Sequence, residues 1–258
     1  MKKIIYIFIV IVVSISTSPL LSQRSEQLKH KTLIFATEAT YPPFVFMQGN
    51  STISGFDADI IHAICQQLQQ PCQLVNAPWD SLIPSLRLGK YDAIFGGMQI
   101  LPQREKVVDF SMPYYTDTVT FVVNKKNNVT LDKTGITGKT IGVQVGTTFV
   151  QYLQLQYGNH IKIKTYPSAL TALLDLQAGR VDAVFVDKPV AVNWLKKQQD
   201  KTFITKGDIT DPHWFGKGYA IAVKKDNIAL LTAINKALVN IKQNGTYTKI
   251  ERRWGMDR

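Results

Sequence analysis

Cysteine and histidine are scarce in this chain of 258 residues, which carries two cysteines and four histidines. The histidines show no paired spacing, and they lie at His30, His62, His160 and His213. Two cysteines without further ligands do not complete a metal site of the zinc type. The sequence therefore predicts neither a metal ion nor another cofactor.

The two cysteines, Cys65 and Cys72, are separated by six residues. Cys65 falls near the end of a predicted helix, and Pro71 marks a chain reversal that could bring the two sulfurs within bonding reach. In an oxidising compartment a disulfide is the expected state of such a pair. We therefore predict a disulfide between Cys65 and Cys72.

Acidic residues are also few: 19 Asp and Glu face 30 Lys and Arg, which gives a formal net charge of +11. The basic residues are scattered through predicted turns and helix faces, without an arginine-rich arm or stripe. Such scatter is typical of a solvated surface. The sequence therefore predicts no nucleic-acid partner.

Long apolar runs are missing except at the start, where residues 4–13 are uniformly apolar. Lys2 and Lys3 precede this run, and small and polar residues follow it, as in a secretory signal; the run is too short to favour a membrane span. We predict a signal peptide at residues 1–22 and a periplasmic protein. The cleavage point is poorly marked, so an uncleaved anchor is the alternative. No cysteine follows the run, and a lipid-anchored form is not expected.

The chain contains an internal echo, because LRLGKYDAIF at 86–95 is matched by LQAGRVDAVF at 176–185. Each copy reads as the end of an amphipathic helix, a glycine stop, a basic residue and an Asp-Ala pair that leads into a short apolar strand. Glycine caps are common in such turns, so an accidental match is the alternative. The echo favours two similar α/β lobes.

Apolar residues recur at helical spacing in segments that begin near Asp57, Asp80 and Ser168, and again at 230–241. Strands alternate with these helices, an order that predicts an α/β fold with a mostly parallel sheet in each lobe. Ligands of such sheets bind outside the carboxyl ends of the strands. The residues just after predicted strands, which we expect to converge on one cleft, are Glu38, Tyr41, Gly96, Gly97, Thr147, Thr148 and Asp187.

Arg104 follows a short apolar run at 93–95 and the break made by Gly96 and Gly97. Glycines at this place leave room for a small ligand against bare backbone. A guanidinium is a planar fork of donors that holds a carboxylate bidentately, so Arg104 is a candidate carboxylate anchor. The alternative is an exposed arginine in a surface loop.

With these motifs in place, the chain resembles the extracytoplasmic substrate-binding proteins of polar amino-acid ABC transporters. Among them it looks most like the arginine-binding members, which are related to the lysine/arginine/ornithine- and histidine-binding proteins. The resemblance covers nearly the whole chain after the signal, in the order of the family. Its segments are ATYPPF at 39–44, GFDADI at 55–60, DSLIPSL at 80–86, YDAIFGGM at 91–98, PYY at 113–115, GKTIGVQVGTT at 138–148, GRVDAVFVD at 179–187 and NGTYTKI at 244–250.

The resemblance implies a two-lobed periplasmic-binding-protein fold of type II, with the ligand cleft between the lobes. One lobe would comprise residues 26–117 plus 221–258, and the other residues 118–220. It also implies a monomer that delivers an amino acid, arginine first of all, to the membrane permease of an ABC transporter.

The resemblance further implies a set of ligand-binding residues. Arg104 would bind the ligand carboxylate, and Asp187, from the other lobe, would bind its ammonium. Tyr41 and Trp79 would hold the ligand side chain between their rings, and Glu38 would lie near the distal end of that side chain. The set as a whole is Glu38, Tyr41, Trp79, Gly96, Gly97, Met98, Gln99, Arg104, Gln144, Thr147, Thr148 and Asp187.

Each of these roles has a plain structural alternative. Trp79 and Tyr41 suit core packing, Glu38 suits an exposed position, and Asp187 suits a cap for the segment that enters Pro189. Against these alternatives, a free amino acid needs an arginine fork and a carboxylate that face each other across a small gap.

Gln99 departs from the arginine-binding pattern, which often has an aspartate at this position. Gln99 and Gln144 could select an amide or another polar side chain instead, so glutamine and histidine are alternative ligands. An enzyme is a further alternative, because exported dehydratases of cyclohexadienyl and arogenate substrates share the fold, and Glu38 would then be the acid or base. A receptor-facing interaction protein is the third class. We expect a binding protein and no enzyme.

Overall fold

The computed structural model describes residues 32–49, 51–116, 118–127, 129–198 and 201–256. The signal peptide predicted at 1–22 lies outside this part. From Thr32 onward the chain forms one compact unit.

Thirteen strands lie in the described part of the chain. They are β1 (Leu33–Thr37), β2 (Thr40–Tyr41), β3 (Val45–Gln48), β4 (Thr52–Ser54), β5 (Cys72–Asn76), β6 (Ala93–Ile94), β7 (Val108–Phe110), β8 (Val119–Asn124), β9 (Thr140–Gln144), β10 (Lys162–Tyr166), β11 (Ala183–Asp187), β12 (Phe203–Ile209) and β13 (Ala222–Lys224).

Helices alternate with these strands. Among the described residues they are α1 (Phe56–Leu68), α2 (Trp79–Arg87), α3 (Pro102–Glu105), α4 (Lys133–Ile136), α5 (Phe149–Tyr157), α6 (Ala169–Gln177), α7 (Lys188–Lys196), α8 (Pro212–Phe215), α9 (Ile228–Gln243) and α10 (Thr246–Trp254). Short 3-10 turns occur at Lys125–Asn127 and Gly158–His160. Helix α6 begins at the predicted cap, where the Ser168 hydroxyl accepts from the Thr171 amide in a capping box.

Two five-stranded sheets define two lobes. The first lobe is built on the order β5-β1-β6-β13-β7, and the second lobe on the order β10-β9-β11-β8-β12. A small sheet, β2-β3-β4, adds to them. The two lobes with flanking helices confirm the predicted α/β fold.

Both sheets are mixed, and four of the five strands in each sheet run in one direction, as expected for a mostly parallel sheet. Strand β1 is parallel to β5 and β6, whereas β13 is antiparallel to β6 and β7. Strand β9 is likewise parallel to β10 and β11, whereas β8 is antiparallel to β11 and β12. The reversed strands are β8 and β13, and each is the first strand after the chain has passed from one sheet to the other. Only a parallel neighbour in the same sheet requires a crossover connection, so these two strands are free to run antiparallel.

The sequence echo is a structural repeat. Gly89 and Gly179 both adopt the left-handed conformation, with φ of 76° and 72°. The carboxylate of Asp92 then accepts from the Ile34 amide at 2.9 Å, and that of Asp182 accepts from the Thr140 amide at 2.8 Å. Each aspartate therefore ties the start of its own strand to the start of the neighbouring parallel strand.

The disulfide is formed as predicted, with an S–S distance of 2.03 Å between Cys65 and Cys72. It joins the last turns of α1 to the first residue of β5. No described helix is both long and apolar enough to span a membrane.

Candidate functional site

A cavity lies where strand ends of the two lobes meet. Strands β1, β6, β9 and β11 run directly into its walls, as expected for ligand sites of α/β sheets. Its lining residues are Glu38, Tyr41, Trp79, Gly96, Gly97, Gln99, Arg104, Gln144, Thr147, Phe149 and Asp187.

The structure thus brings together most of the residues that the sequence singled out, but two of them do not line the cavity. The Met98 side chain packs in a core cluster with Leu82 and Leu86. Thr148 is buried and donates its hydroxyl to the Trp214 carbonyl oxygen at 2.8 Å. Phe149 lines the cavity although no chemical feature of its sequence context selected it; as an apolar residue just after Thr147 and Thr148 it resembled an ordinary core position.

Arg104 is buried, with 9% of its surface exposed, so it is not the surface arginine of the alternative interpretation. It sits in the short helix α3, and its Nη1 donates to the Gln99 carbonyl oxygen at 3.1 Å. Its guanidinium lies 5.4 Å from the centre of the Trp79 ring, within cation–π range. No ion pair between described residues includes Arg104, so its charge is available to an anion in the cavity.

Asp187 is the last residue of β11 and is 3% exposed. Its Oδ2 accepts a hydrogen bond from the Tyr41 hydroxyl, a contact between the two lobes. Its Oδ1 is buried and has no hydrogen-bond partner in the described structure. Asp187 occupies the N-cap position of α7 without a side-chain cap bond. A buried, unpaired carboxylate oxygen beside the cavity is suited to an incoming cationic donor.

Burial dominates the titration of this pair. It raises the pKa of Asp187 to about 6, although hydrogen bonds from Tyr41 and Tyr219 and the charge of Arg104 act in the opposite direction. Burial also lowers the pKa of Arg104 to about 10, which the charge of Asp187 partly offsets. At neutral pH both groups are therefore charged, and neither is fully compensated.

Glu38 is 8% exposed, so it is not the exposed acid of the alternative interpretation. It accepts from the Thr40 hydroxyl and, at 3.4 Å, from Nε2 of Gln144 in the other lobe. Burial raises the pKa of Glu38, and these two hydrogen bonds lower it. The amide of Gln144 also donates to the Pro167 carbonyl oxygen at 3.3 Å. The acidic end of the cavity is therefore built by both lobes.

Trp79 and Thr147 complete the walls. The indole nitrogen of Trp79 donates to the Gly146 carbonyl oxygen at 3.3 Å, which is a further contact between the lobes. The Thr147 hydroxyl donates to the Gln144 carbonyl oxygen at 2.8 Å, which fixes the turn after β9.

Glycine is required at the two loop positions of the first lobe. Gly96 has a φ of 99°, and a Cβ there would lie 2.2 Å from Oγ1 of Thr37. Gly97 has a φ of 65°, and a Cβ there would lie 3.4 Å from Cε1 of Tyr41. Both conformations favour glycine. The loop therefore presents bare backbone to the cavity.

The described residues contain no group of three or more metal-binding side chains. The cavity instead offers a cation, two carboxylates, aromatic rings and amide groups. This arrangement fits a small zwitterion bound through both of its charges.

Residues 33–257 match the family of bacterial extracellular solute-binding proteins, family 3. The chain is 43% identical over 220 residues to ABC transporter arginine-binding protein 1 of Escherichia coli K12, covering 85% of this chain and 89% of that protein. It superimposes on a Salmonella typhimurium periplasmic binding protein described for high arginine specificity, with a TM-score of 0.80, 38% identity, and coverage of 87% of this chain and 99% of that one.

It also superimposes on an ancestral arginine-binding protein bound to glutamine, with a TM-score of 0.80, 38% identity, and coverage of 86% of this chain and 97% of that one. These relatives are binding proteins and not enzymes, as expected from the sequence. The chain therefore belongs to the bacterial extracellular solute-binding proteins of family 3.

Proposed function

We propose that this protein captures arginine outside the cytoplasmic membrane and delivers it to the permease of an ABC transporter. The observation that carries the proposal is the placement of buried Arg104 and buried Asp187 in the walls of one cavity, each from a different lobe. Only a ligand with both an anionic and a cationic group satisfies both residues. The arginine-binding relatives support the choice of ligand.

From the chemistry of the side chains we propose which end of the ligand lies against each wall. The guanidinium of Arg104 donates one hydrogen bond to the Gln99 carbonyl oxygen and has further N–H donors for the ligand carboxylate. The unpaired Oδ1 of Asp187 accepts from the ligand ammonium. Glu38 lies in the same cavity and supplies a negative charge for the distal guanidinium. The rings of Tyr41 and Trp79 offer faces on which a cationic side chain can lie.

Glutamine is the second candidate, and Gln144 is the feature that favours it. The Gln144 amide lies against Glu38 in the cavity wall and can exchange hydrogen bonds with a ligand amide. One of the similar structures is an arginine-binding protein bound to glutamine, so closely related sites accept this ligand.

Isothermal titration of the protein, stripped of carried-over ligand by denaturation and refolding, tests the proposal with arginine, lysine, histidine and glutamine in parallel. We expect arginine to bind with micromolar affinity or better, about −8 kcal/mol. If glutamine binds more tightly than arginine, Gln144 or Gln99 is the residue that selects the ligand side chain. If a folded sample shows no heat of binding with any of the four amino acids, the proposal is wrong.

Two variants separate the proposed roles. Arg104→Met removes the carboxylate fork, so it should abolish the binding of every amino acid. Glu38→Gln keeps the hydrogen-bonding shape and removes the charge, so it should weaken arginine and lysine while glutamine is spared. Equal losses for arginine and glutamine would reject the role of Glu38.

We also propose that the lobes comprise residues 26–117 plus 221–258 and residues 118–220. The composition of the two sheets supports this division, since β13 returns to the first sheet after β8 to β12 have built the second. Export by a signal peptide at residues 1–22 and a monomeric state remain parts of the same proposal. Mass spectrometry of the exported protein and its sedimentation test them.

A further inference from the structure

Asp57 is a buried acid that does not line the cavity. It lies in the first turn of α1 and is 1% exposed. Its Oδ2 accepts two hydrogen bonds of 2.8 Å, from the Gly97 amide and from the Tyr114 hydroxyl. Its Oδ1 has no hydrogen-bond partner within the described residues. Burying a carboxylate costs free energy. Helix capping does not explain the buried position of Asp57, because the N-cap residue of α1 is Gly55 and no side chain caps this helix.

The first of the two bonds holds the wall of the cavity. Gly97 has no side chain and a left-handed backbone, so the rest of the protein can hold this residue only through its backbone, and its amide donates to Asp57. The Met98 carbonyl oxygen, which accepts from the Ala220 amide at 2.9 Å, also holds the loop. Two residues after Gly97, the Gln99 carbonyl oxygen accepts from Nη1 of Arg104. Asp57 therefore anchors the loop that in turn orients the guanidinium in the cavity.

The second bond reaches the segment that leads toward the other lobe. Tyr114 precedes β8, the first strand of the second sheet, by five residues. Its amide donates to the Tyr219 carbonyl oxygen at 2.9 Å, and Tyr219 lies on the segment that returns to β13. The Tyr114 carbonyl oxygen accepts from the Tyr247 hydroxyl of α10. One oxygen of Asp57 thus holds both the cavity loop and the connection between the lobes.

We propose that Asp57 is a positioning residue for ligand binding, which fixes the Gly96–Gly97 loop and, through Gln99, the Arg104 guanidinium. The proposal rests on the proposed function, because one of its readouts is arginine affinity. A second readout, amide exchange at Gly97, does not depend on the ligand.

Three variants test the proposal. Asp57→Ala removes the acceptor, Asp57→Asn keeps a carbonyl oxygen for both donors, and Ile64→Ala is the matched control. Ile64 is fully buried in the same helix and does not line the cavity, so its truncation destabilises the lobe without touching the loop.

At a temperature where all variants are folded, Asp57→Ala should lose arginine affinity by about tenfold or more, because a buried amide is left without its partner. Asp57→Asn should recover affinity to within about threefold of the wild type. Ile64→Ala should bind as the wild type does, despite lower stability. If Asp57→Ala binds as well as Ile64→Ala, or if Asp57→Asn binds as weakly as Asp57→Ala, the positioning role is wrong.

Hydrogen exchange distinguishes failure of this inference from failure of the proposed function. In the wild type the Gly97 amide should exchange as slowly as core amides, and in Asp57→Asn it should stay protected. Fast exchange of Gly97 in the wild type would overturn the inference, even if Asp57→Ala does not fold. If the Gly97 amide exchanges slowly but the protein binds no arginine, arginine is the wrong ligand, and the role of Asp57 as the anchor of the loop still holds.

Discussion

Tyr41 donates its phenolic hydrogen to Oδ2 of Asp187 across 146 positions of sequence and from one lobe to the other. Tyr41 ends a short strand of the first lobe, and Asp187 ends a strand in the second sheet. The carboxylate proposed to hold the ligand ammonium is therefore also a contact between the lobes. One group thus serves both the contact between the lobes and the proposed binding of the ligand.

The titration of Asp187 predicts a pH dependence of binding. Because its pKa is raised to about 6, the carboxylate is charged above that pH and neutral below it. Arginine affinity should therefore be full at pH 7 and above, and about tenfold weaker at pH 5. Isothermal titration between pH 5 and 8 measures this.

Other ionisable groups of the cavity need controls in the same titration. Arg104 keeps its charge throughout the range, since its pKa is about 10. Burial also raises the pKa of Glu38, so Glu38→Gln is the control: it should weaken arginine binding, and the slope that this variant retains belongs to Asp187. Asp187→Asn should bind weakly with a flat profile. A wild-type profile that is flat from pH 5 to 8 would contradict the role of Asp187.

Removing one hydroxyl should move this profile. Tyr41→Phe keeps the ring and deletes a hydrogen bond that lowers the pKa of Asp187, so the midpoint of the affinity profile should shift above pH 6. The control is Tyr166→Phe, whose hydroxyl donates to Asp175 and not to a cavity residue. A midpoint shift of the same size in both variants would rule out the interaction between Tyr41 and Asp187 as the cause.

The glycine loop gives a prediction on stability. Gly89→Ala places a side chain at a φ of 76° with no atom within 4 Å of its Cβ, so it should cost about 1 kcal/mol for the left-handed backbone alone. Gly96→Ala adds a clash at 2.2 Å with Thr37 and should cost about 1–3 kcal/mol more. Urea unfolding of both variants measures the difference. Equal losses would show that the loop yields to a methyl group.

The disulfide should stabilise the first lobe without affecting the ligand. Replacing Cys65 and Cys72 together by serine should lower the free energy of unfolding by about 2–3 kcal/mol, because a short loop of the unfolded chain is no longer closed. Arginine affinity should be unchanged, since neither cysteine lines the cavity. A loss of affinity in the folded variant would show coupling between α1 and the site.

Local sequence patterns predicted the helices, the repeated helix-to-strand turn and the disulfide, because these features depend on residues that are close in the sequence. The glycine stop and the Asp-Ala pair do what their spacing indicated, at 89–93 as at 179–183. The meeting of Arg104 and Asp187 in one cavity followed from the rule that strand ends converge, together with the family resemblance.

Other features depended on long-range contacts that local patterns do not encode. The direction of β8 and β13, the one reversed strand of each five-stranded sheet, is set by where the chain passes between the sheets, and the sequence did not single these two strands out. Met98 follows two left-handed glycines, after which the alternation of faces is not fixed, and its side chain turns to the core. Asp57 looked like a helix start, whereas its partner Gly97 lies 40 residues away.

The repeated aspartates, Asp92 and Asp182, have a mechanical consequence. Each pins strand starts at the end of a sheet remote from the cavity, while the loops at the opposite end carry the residues proposed to bind the ligand. Each lobe thus keeps the bonds that hold strand register at one end and the residues proposed to bind the ligand at the other. Substitutions in the cavity loops therefore leave the aspartate contacts of both sheets in place.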